Sequence, residues 1–411
     1  MRILIASSHR NIVGGVEKYL QALLPELVRH GNQIALAYEE RFDPQLESID
    51  GSEELPAWCL DEMGDHALLS SVAAWNPHVV YAHGLASPRV LRALLDAYPT
   101  VFYAHNYHGT CASGQKCHAI PRPQPCSRRF GPACLFLYYP RRCGGLHPGT
   151  MLQLYRCSRE YNSQLQEYDA VLVASDHMYA EFERHGVNAE KLHRVPLPAP
   201  DSPQQTSPPV QRTPQGRVLF LGRLTKLKGG SYLIPALRQA SQQLGYPLHL
   251  TVAGDGPERN QLESLARSLD VPAEFLGWVA RARKVDFMRH ADLVAVPSLW
   301  PEPFGLVGLE AGALGVPAAA YAVGGIPDWL IPGSSGELAP GDPPTVAGLA
   351  DAIVRALGDP AHYAKLCRGA WEVSNRFNLA NHLAKLEPLL ETAAKRRSSR
   401  SLRPMPEGIH A

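Results

Sequence analysis

Two glutamates eight residues apart open the question of function. The stretch "PEPFGLVGLE" sets Glu302 in a proline-bounded loop and Glu310 in an apolar run among Leu306, Val307, Leu309 and Ala311. A carboxylate accepts from two neighbouring hydroxyls at once, which suits a ribose or a sugar ring. Such a group is costly to bury unpaired, so Glu310 requires either a basic side chain of the protein, such as an arginine, or a bound ligand. Glu302 could equally be a solvated loop acid. Phe304 and Gly305 open the run after Glu302, and a glycine there lets backbone amides approach a ligand closely.

Cations stand at a comparable place. "FLGRLTKLKGG" puts Arg223 at the end of an apolar strand and Lys228 just before Gly229 and Gly230. Two cations with free helix amides suit a diphosphate, whose charge must be held and stabilised as it leaves; a solvated surface pair is the plain alternative. Near the start, Gly14 and Gly15 lead from a strand into a helix, again a place where amides meet an anion or an ordinary turn. Several familiar signatures are absent. "AGDGPERN" has Gly254 and Gly256 but Arg259 where a dinucleotide fingerprint needs its third glycine, and there is neither a P-loop nor a D-x-D pair to hold a divalent ion.

Short apolar strands alternating with amphipathic segments position these residues. "RILIAS", "QIALAYE", "HVVYAHG", "TVFYAHN" and "DAVLVAS" read as strands, and helical patterns separate most of them. After the proline-rich "PLPAPDSPQQTSPPVQRTPQG" the alternation restarts with "RVLFLGR", "LHLTVAGDG", "AEFLGWV", "DLVAVPS" and "VPAAAYA". That is the pattern of parallel sheets covered on both faces. Ligands bind such sheets beyond the carboxyl ends of their strands, which is where the glycines and charges fall. With 411 residues the chain is too long for one ordinary core. The predicted organisation is a first domain at 1–198, a linker at 199–215, a second domain at 216–375, a helix at 376–395 and a disordered tail at 396–411.

Net charge of +1 excludes a global reason to invoke nucleic acid. No apolar run reaches the length of a bilayer span, and the short apolar start reads as a strand rather than a signal peptide. A cytoplasmic location is therefore expected. The region 106–157 is the anomaly: weakly periodic, rich in Pro, Gly, Arg and aromatics, and holding six of the eight cysteines. From His105 to Glu160 there are eight Lys or Arg against one acid. Cys111, Cys117, Cys126, Cys134 and Cys143 lack any C-x2-C pairing, with His108, His118 and His147 among them. Structural zinc, disulfides and reduced packing thiols all remain open. A loop-rich segment with little core needs a staple, which favours a metal over nothing, and a cytoplasmic setting disfavours disulfides.

"GRLTKLKGG", "VAGDGPE", "FLGWV" and "PSLWPEPFGLVGLEAGALGVPAAAYAVGGIPD" closely resemble the second domain of retaining family-4 glycosyltransferases of the GT-B fold. "GGVEKYLQALLPELVRHG" and the histidine after "VFYA" resemble the first, so the likeness covers residues 1–395. It implies two Rossmann-like domains facing across a cleft, and retaining transfer of a sugar from a nucleotide-diphospho-sugar to a glycan or a polyprenyl-diphosphate-linked acceptor. It implies no cofactor for catalysis. By this likeness Glu310 holds the ribose, Glu302 and the backbone at Phe304 and Gly305 hold the sugar, and His105 meets the sugar from the other domain. Arg223 and Lys228, helped by Gly14 and Gly15, stabilise the departing diphosphate. The insertion emerges on the acceptor side, where its basic surface suits a phosphate-bearing acceptor and peripheral association with the inner face of a membrane. A GT-B nucleotide-sugar 2-epimerase and a non-catalytic sugar-nucleotide-binding subunit are the rival readings. Two departures from the family are the insertion and "VPLPAPD", where an Asn-Gly turn is usual.

Overall fold

The computed structural model describes residues 1–50, 55–85, 87–145, 147–199 and 213–396. Most of the expected linker and almost all of the expected tail lie outside the described residues.

The first domain contains β1 (Arg2–Ser7), α1 (Gly15–Arg29), β2 (Gln33–Tyr38), β3 (Ala57–Cys59), α2 (Leu60–Trp75), β4 (Val79–Ala82), α3 (Pro88–Ala97) and β5 (Thr100–Ala104). The insertion follows, with β6 (Cys117–His118), β7 (Gln124–Pro125), α4 (Ala133–Leu137) and α5 (Pro148–Gln164). The domain resumes with β8 (Ala170–Val173), α6 (Asp176–Arg184) and β9 (Leu192–Arg194). Seven of these strands form one sheet in the order β3-β2-β1-β4-β5-β8-β9, paired in parallel throughout.

In the second domain the elements are β10 (Arg217–Leu221), α7 (Gly230–Leu244), β11 (His249–Ala253), α8 (Arg259–Ser268), β12 (Ala273–Gly277), α9 (Arg281–His290), β13 (Leu293–Val296), α10 (Leu306–Gly312), β14 (Ala318–Tyr321), β15 (Gly336–Ala339), α11 (Val346–Leu357) and α12 (Pro360–Arg376). Its six strands are again all parallel, in the order β12-β11-β10-β13-β14-β15. Both sheets thus carry the doubly wound order in which the first strand lies between the second and the fourth, and each has a switch point there.

Strand periodicity explains the layering. Along β1, Ile3 and Ile5 join one core while Leu4 and Ala6 join another, because successive side chains leave opposite faces of a sheet. On α1, Leu20, Leu23, Leu24 and Leu27 make one buried stripe, each side chain contributing about 2 kcal/mol by leaving water. The core holding Ile3 and Ile5 continues into the second domain.

The continuity depends on the last helix, α13 (Leu379–Arg396), which returns to the first domain and packs on β4 and β5. There His382 is buried, and its Nδ1–H donates to the Pro196 carbonyl at 2.8 Å. Its Nε2 is thereby an acceptor for the Tyr19 hydroxyl at 2.7 Å, and Tyr81 in turn donates to Tyr19 at 2.8 Å.

The insertion is more ordered than its composition suggests. Lys116 is almost wholly buried and forms an ion pair with buried Glu181 of α6, while its Nζ also donates to the Arg128 carbonyl at 2.6 Å. Sequence periodicity missed α5 because that helix is mostly exposed, burying only Ser158 and Gln164.

Candidate active site

The two switch points face each other across a cleft with a cavity of about 400 Å³. Gly15 and His105 line it from the first domain, and Lys228, Trp300, Glu302, Phe304 and Gly305 from the second. Gly14, Arg223 and Glu310 are not among its lining residues.

Glu302 is buried, and its Oε1 receives Lys228 Nζ at 2.6 Å and the Ser298 hydroxyl at 2.5 Å. Burial alone would raise its pKa, but Lys228, Ser298 and Trp300 together outweigh that and hold it below the usual carboxylate range. It is therefore an anion clamped to a cation at the cavity wall, rather than a solvated loop acid. Lys228 Nζ also lies 5.5 Å from the centre of the Trp300 ring, within cation–π reach.

The loop carrying Glu302 owes its shape to glycines and Trp329. Gly305 adopts a φ of +83°, and Trp329 Nε1–H donates to the Phe304 carbonyl at 2.7 Å. A Cβ at Gly308 would stand 2.0 Å from the Trp329 ring, so α10 can pack there only with glycine. Gly324 has φ +57°, and a Cβ on it would strike the Glu302 carbonyl oxygen at 2.1 Å. The glycines of "VGLEAGALGVPAAAYAVGG" thus set backbone contacts that hold Glu302 in place.

Glu310 sits in α10 with a partner inside the protein. Lys284 of α9 approaches its Oε2 at 2.6 Å, and both side chains are largely buried. The sequence left an arginine or a ligand as the neutralising group; the structure supplies a lysine. Gly254 and Gly256 also find an internal reason. A Cβ on Gly254 would lie 2.0 Å from the Gly222 carbonyl, and one on Gly256 2.4 Å from that of Leu224. They let this loop pack against the segment carrying Arg223, which itself is exposed.

The glycines across the cleft differ. A Cβ on Gly15 would meet nothing within 4 Å, and one on Gly14 only a Glu17 oxygen at 3.4 Å. Neither position is held to glycine by a close internal contact.

His105 follows β5, and its Nε2 lies 2.9 Å from Nδ1 of buried His83. Burial, reinforced by His382, holds the His105 pKa down to about 3, so the ring is neutral at physiological pH. Nε2 of His83 is buried without a hydrogen-bond partner. An orphaned N–H is rarer than an orphaned acceptor, so His83 donates through Nδ1–H and keeps a bare Nε2. His105 Nε2 then accepts, which leaves its Nδ1 protonated and able to donate.

Two contacts between the domains fall on the Glu302 loop. The Tyr107 hydroxyl donates to the Pro301 carbonyl at 2.7 Å, and Ser175 Oγ donates to that of Pro303 at 2.7 Å. Ser175 also caps α6, accepting from the Met178 amide at 3.2 Å. Sequence reasoning missed Tyr107, Ser175, Ser298, Trp300, Lys284 and His83. Only His83 carried a signal, as the histidine ending "HVVYAHG" in parallel with His105.

For the proposed metal ligands, Cys111, Cys117, Cys126, Cys134 and Cys143 are all free thiols. Burial raises the pKa of Cys117 to about 11 and that of Cys143 to about 12, the latter helped by the neighbouring thiols. Among the described residues no three His, Cys, Asp or Glu side chains are arranged to hold a metal ion.

Two Rossmann-like domains with facing switch points define a GT-B protein. The family description "Glycosyltransferase Family 4" matches residues 13–200 and "Glycosyl transferases group 1" matches residues 203–371. The chain belongs to the family-4 glycosyltransferases. A D-inositol 3-phosphate glycosyltransferase of Xylanimonas cellulosilytica is 33% identical over 248 residues, covering 56% of this chain and 58% of that protein. A glycogen synthase of Mycobacterium tuberculosis is 36% identical over 163 residues, covering 39% of this chain and 38% of that protein. The chain thus spans little more than half of the first relative and less of the second.

Among solved structures, a sucrose-phosphate synthase from Thermosynechococcus elongatus superposes with a TM-score of 0.69 at 21% identity, covering 95% of this chain and 98% of that one. HepE of Anabaena, solved with UDP and glucose, gives 0.65 at 20% identity over 95% of this chain and 100% of that one. At such identities the likeness is one of fold.

Proposed function

We propose that this protein transfers a hexose from a nucleotide-diphospho-sugar to a glycan or lipid-linked acceptor, with retention at the anomeric carbon. The observation that carries the reading is the Lys228–Glu302 pair at 2.6 Å on the wall of a cleft bordered opposite by Gly15 and neutral His105. The UDP and glucose bound to HepE support a donor of this kind.

In the reaction, the bond from the anomeric carbon to the diphosphate oxygen breaks, and the electron pair leaves with the diphosphate. Lys228 and Arg223, with the α1 amides at Gly14 and Gly15, stabilise that charge as it develops; no carboxylate-held divalent ion is invoked. The acceptor oxygen attacks the same face, and its proton passes to the departing phosphate. Glu302 and the backbone at Phe304 and Gly305 orient the sugar hydroxyls, His105 donates to the sugar through Nδ1–H, and Glu310 reaches the ribose, sharing Lys284 with it. Exclusion of water by the closed domains protects the oxocarbenium-like state from hydrolysis.

The acceptor side is the insertion, in which Arg122, Arg129, Arg141 and Arg142 are exposed and Phe136 is 80% exposed. Such a surface suits a phosphate-bearing lipid-linked acceptor and an anionic membrane face. No helix among the described residues is long and apolar enough to cross a membrane.

The test starts with a panel of nucleoside diphosphates and nucleotide sugars in thermal unfolding, because a ligand bound only by the folded state raises Tm. The stabilising donor is then offered with acceptor extracts, and the anomeric configuration of the product is read by NMR. Glu302→Gln should lower kcat by ~10²-fold, the scale of losing one oriented polar contact in a transition state. Absence of any stabilising nucleotide, or an inverted product, would overturn the reading. Isomerised free nucleotide sugar in the absence of acceptor would point to epimerisation instead.

A further inference from the structure

The insertion carries an inference that is independent of sugar transfer. Among the described residues between His105 and α5, its regular structure is limited to the two-residue strands β6 and β7 and the five-residue α4. Five thiols nevertheless arrive at one cavity of about 30 Å³: Cys111, Cys117, Cys126, Cys134 and Cys143, with His118 beside them. They come from separate places in the chain, a loop, a strand end, a second loop, a helix and a turn. The protein's other three cysteines, Cys59, Cys157 and Cys367, are not among the residues lining that cavity.

The surroundings match what bound thiolates require. The Lys116 amide points to Cys111 Sγ at 3.4 Å, and Ser113 Oγ lies 3.5 Å from the same sulfur. His118 Nδ1 lies 3.5 Å from Cys143 Sγ, which pairs an imidazole with a thiol at the wall. Arg128 also lines the cavity, so positive charge stands ready to offset a thiolate shell.

We propose that this cavity binds one thiophilic divalent metal ion, zinc, through four ligands drawn from these five cysteines and His118. Zinc takes four such ligands tetrahedrally, with sulfur at about 2.3 Å. Each thiol that becomes a ligand releases its proton to solvent. The side chains have not already converged on a common point, so the shell closes as they rotate inward around the ion. The volume suffices, since a single water-sized sphere needs only about 10–15 Å³.

A metal here would brace the donor-side loop. Cys117 Sγ faces the Leu299 carbonyl of the second domain at 3.8 Å, and Gln124 Nε2 donates to Asp342 at 3.0 Å. The same insertion begins with Tyr107, which holds Pro301.

The experiment is elemental analysis of the full chain purified without chelator, followed by cobalt(II) replacement. About one equivalent of zinc per chain is expected, released by a thiol-specific mercurial, and cobalt should give an intense thiolate-to-metal charge-transfer band. Of the five single cysteine-to-serine variants of the cavity at least three should lose the metal, whereas Cys157→Ser and Cys367→Ser should keep it. If the cavity variants fail to fold, the cobalt spectrum of the unaltered chain still decides. Folded, fully reduced protein that takes up neither metal would overturn the proposal. So would disulfides among the five cysteines by mass spectrometry, or iron with sulfide in place of zinc. Donor binding without metal would sink this inference and leave the proposed function standing; metal without donor binding would do the reverse.

Discussion

Buried His83 and His382 and half-buried His105 form a neutral cluster packed against Tyr19, Tyr81 and Tyr103. Burial lowers all three imidazole pKa values, to about 3 for His105 and about 4 for His382. In the unfolded chain each takes up its proton near pH 6.5. Between about pH 6.5 and those folded values the unfolded state therefore binds more protons, and stability rises with pH. Urea titrations should show stability falling as pH drops from 6.5 towards 4, with a smaller slope in His382→Gln. Equal slopes would mean that His382 is not held neutral. Glu302 acts in a lower window. Its folded pKa is depressed, so its contribution is full above the unfolded carboxylate value and is lost as pH falls through the folded one.

Two helix N-termini carry glycine for different reasons. Gly229 precedes α7 with φ +74°, and a Cβ on it would lie 1.8 Å from the Pro297 carbonyl oxygen. Gly15 opens α1 with open space where a Cβ would be. Gly229→Ala should cost roughly 2 kcal/mol or more, since it adds a backbone clash to an unfavourable φ. Gly15→Ala should leave Tm nearly unchanged and weaken the stabilising nucleotide by several-fold. Differential scanning calorimetry with and without nucleotide separates the two effects. A large loss of Tm in Gly15→Ala would show that its role is internal packing.

At the scale of the whole molecule, the domains meet where the sugar would react. Tyr107 is fully buried, and its hydroxyl bridges Pro301 and His177 Nε2 at 2.7 and 2.9 Å. Tyr107→Phe leaves a buried carbonyl unsatisfied, at a cost of about 1–3 kcal/mol. Part of that cost falls on closure, so the variant should show a higher KM for the donor and a larger share of donor hydrolysis relative to transfer. An unchanged ratio would disconnect the insertion from closure.

The local residue pattern is enough for the alternation of strands and helices, the paired parallel sheets and the placing of charged residues at strand ends. Those features follow from local periodicity and from the conformational limits of glycine and proline. Glu302, Lys228, His105, Phe304 and Gly305 line one cleft; their position at strand ends pointed there, and the roles given to them came from the family resemblance. Partnership between side chains, by contrast, exists only in the folded chain. Lys284 reaches Glu310 from a different helix, and Lys228 reaches Glu302 from 74 residues away. His382 crosses 363 residues to meet Tyr19, and Tyr107 bridges 194 to reach Pro301. Five thiols without any paired spacing share one cavity. Such pairings depend on distances set by packing between elements, and no local pattern of residues encodes them.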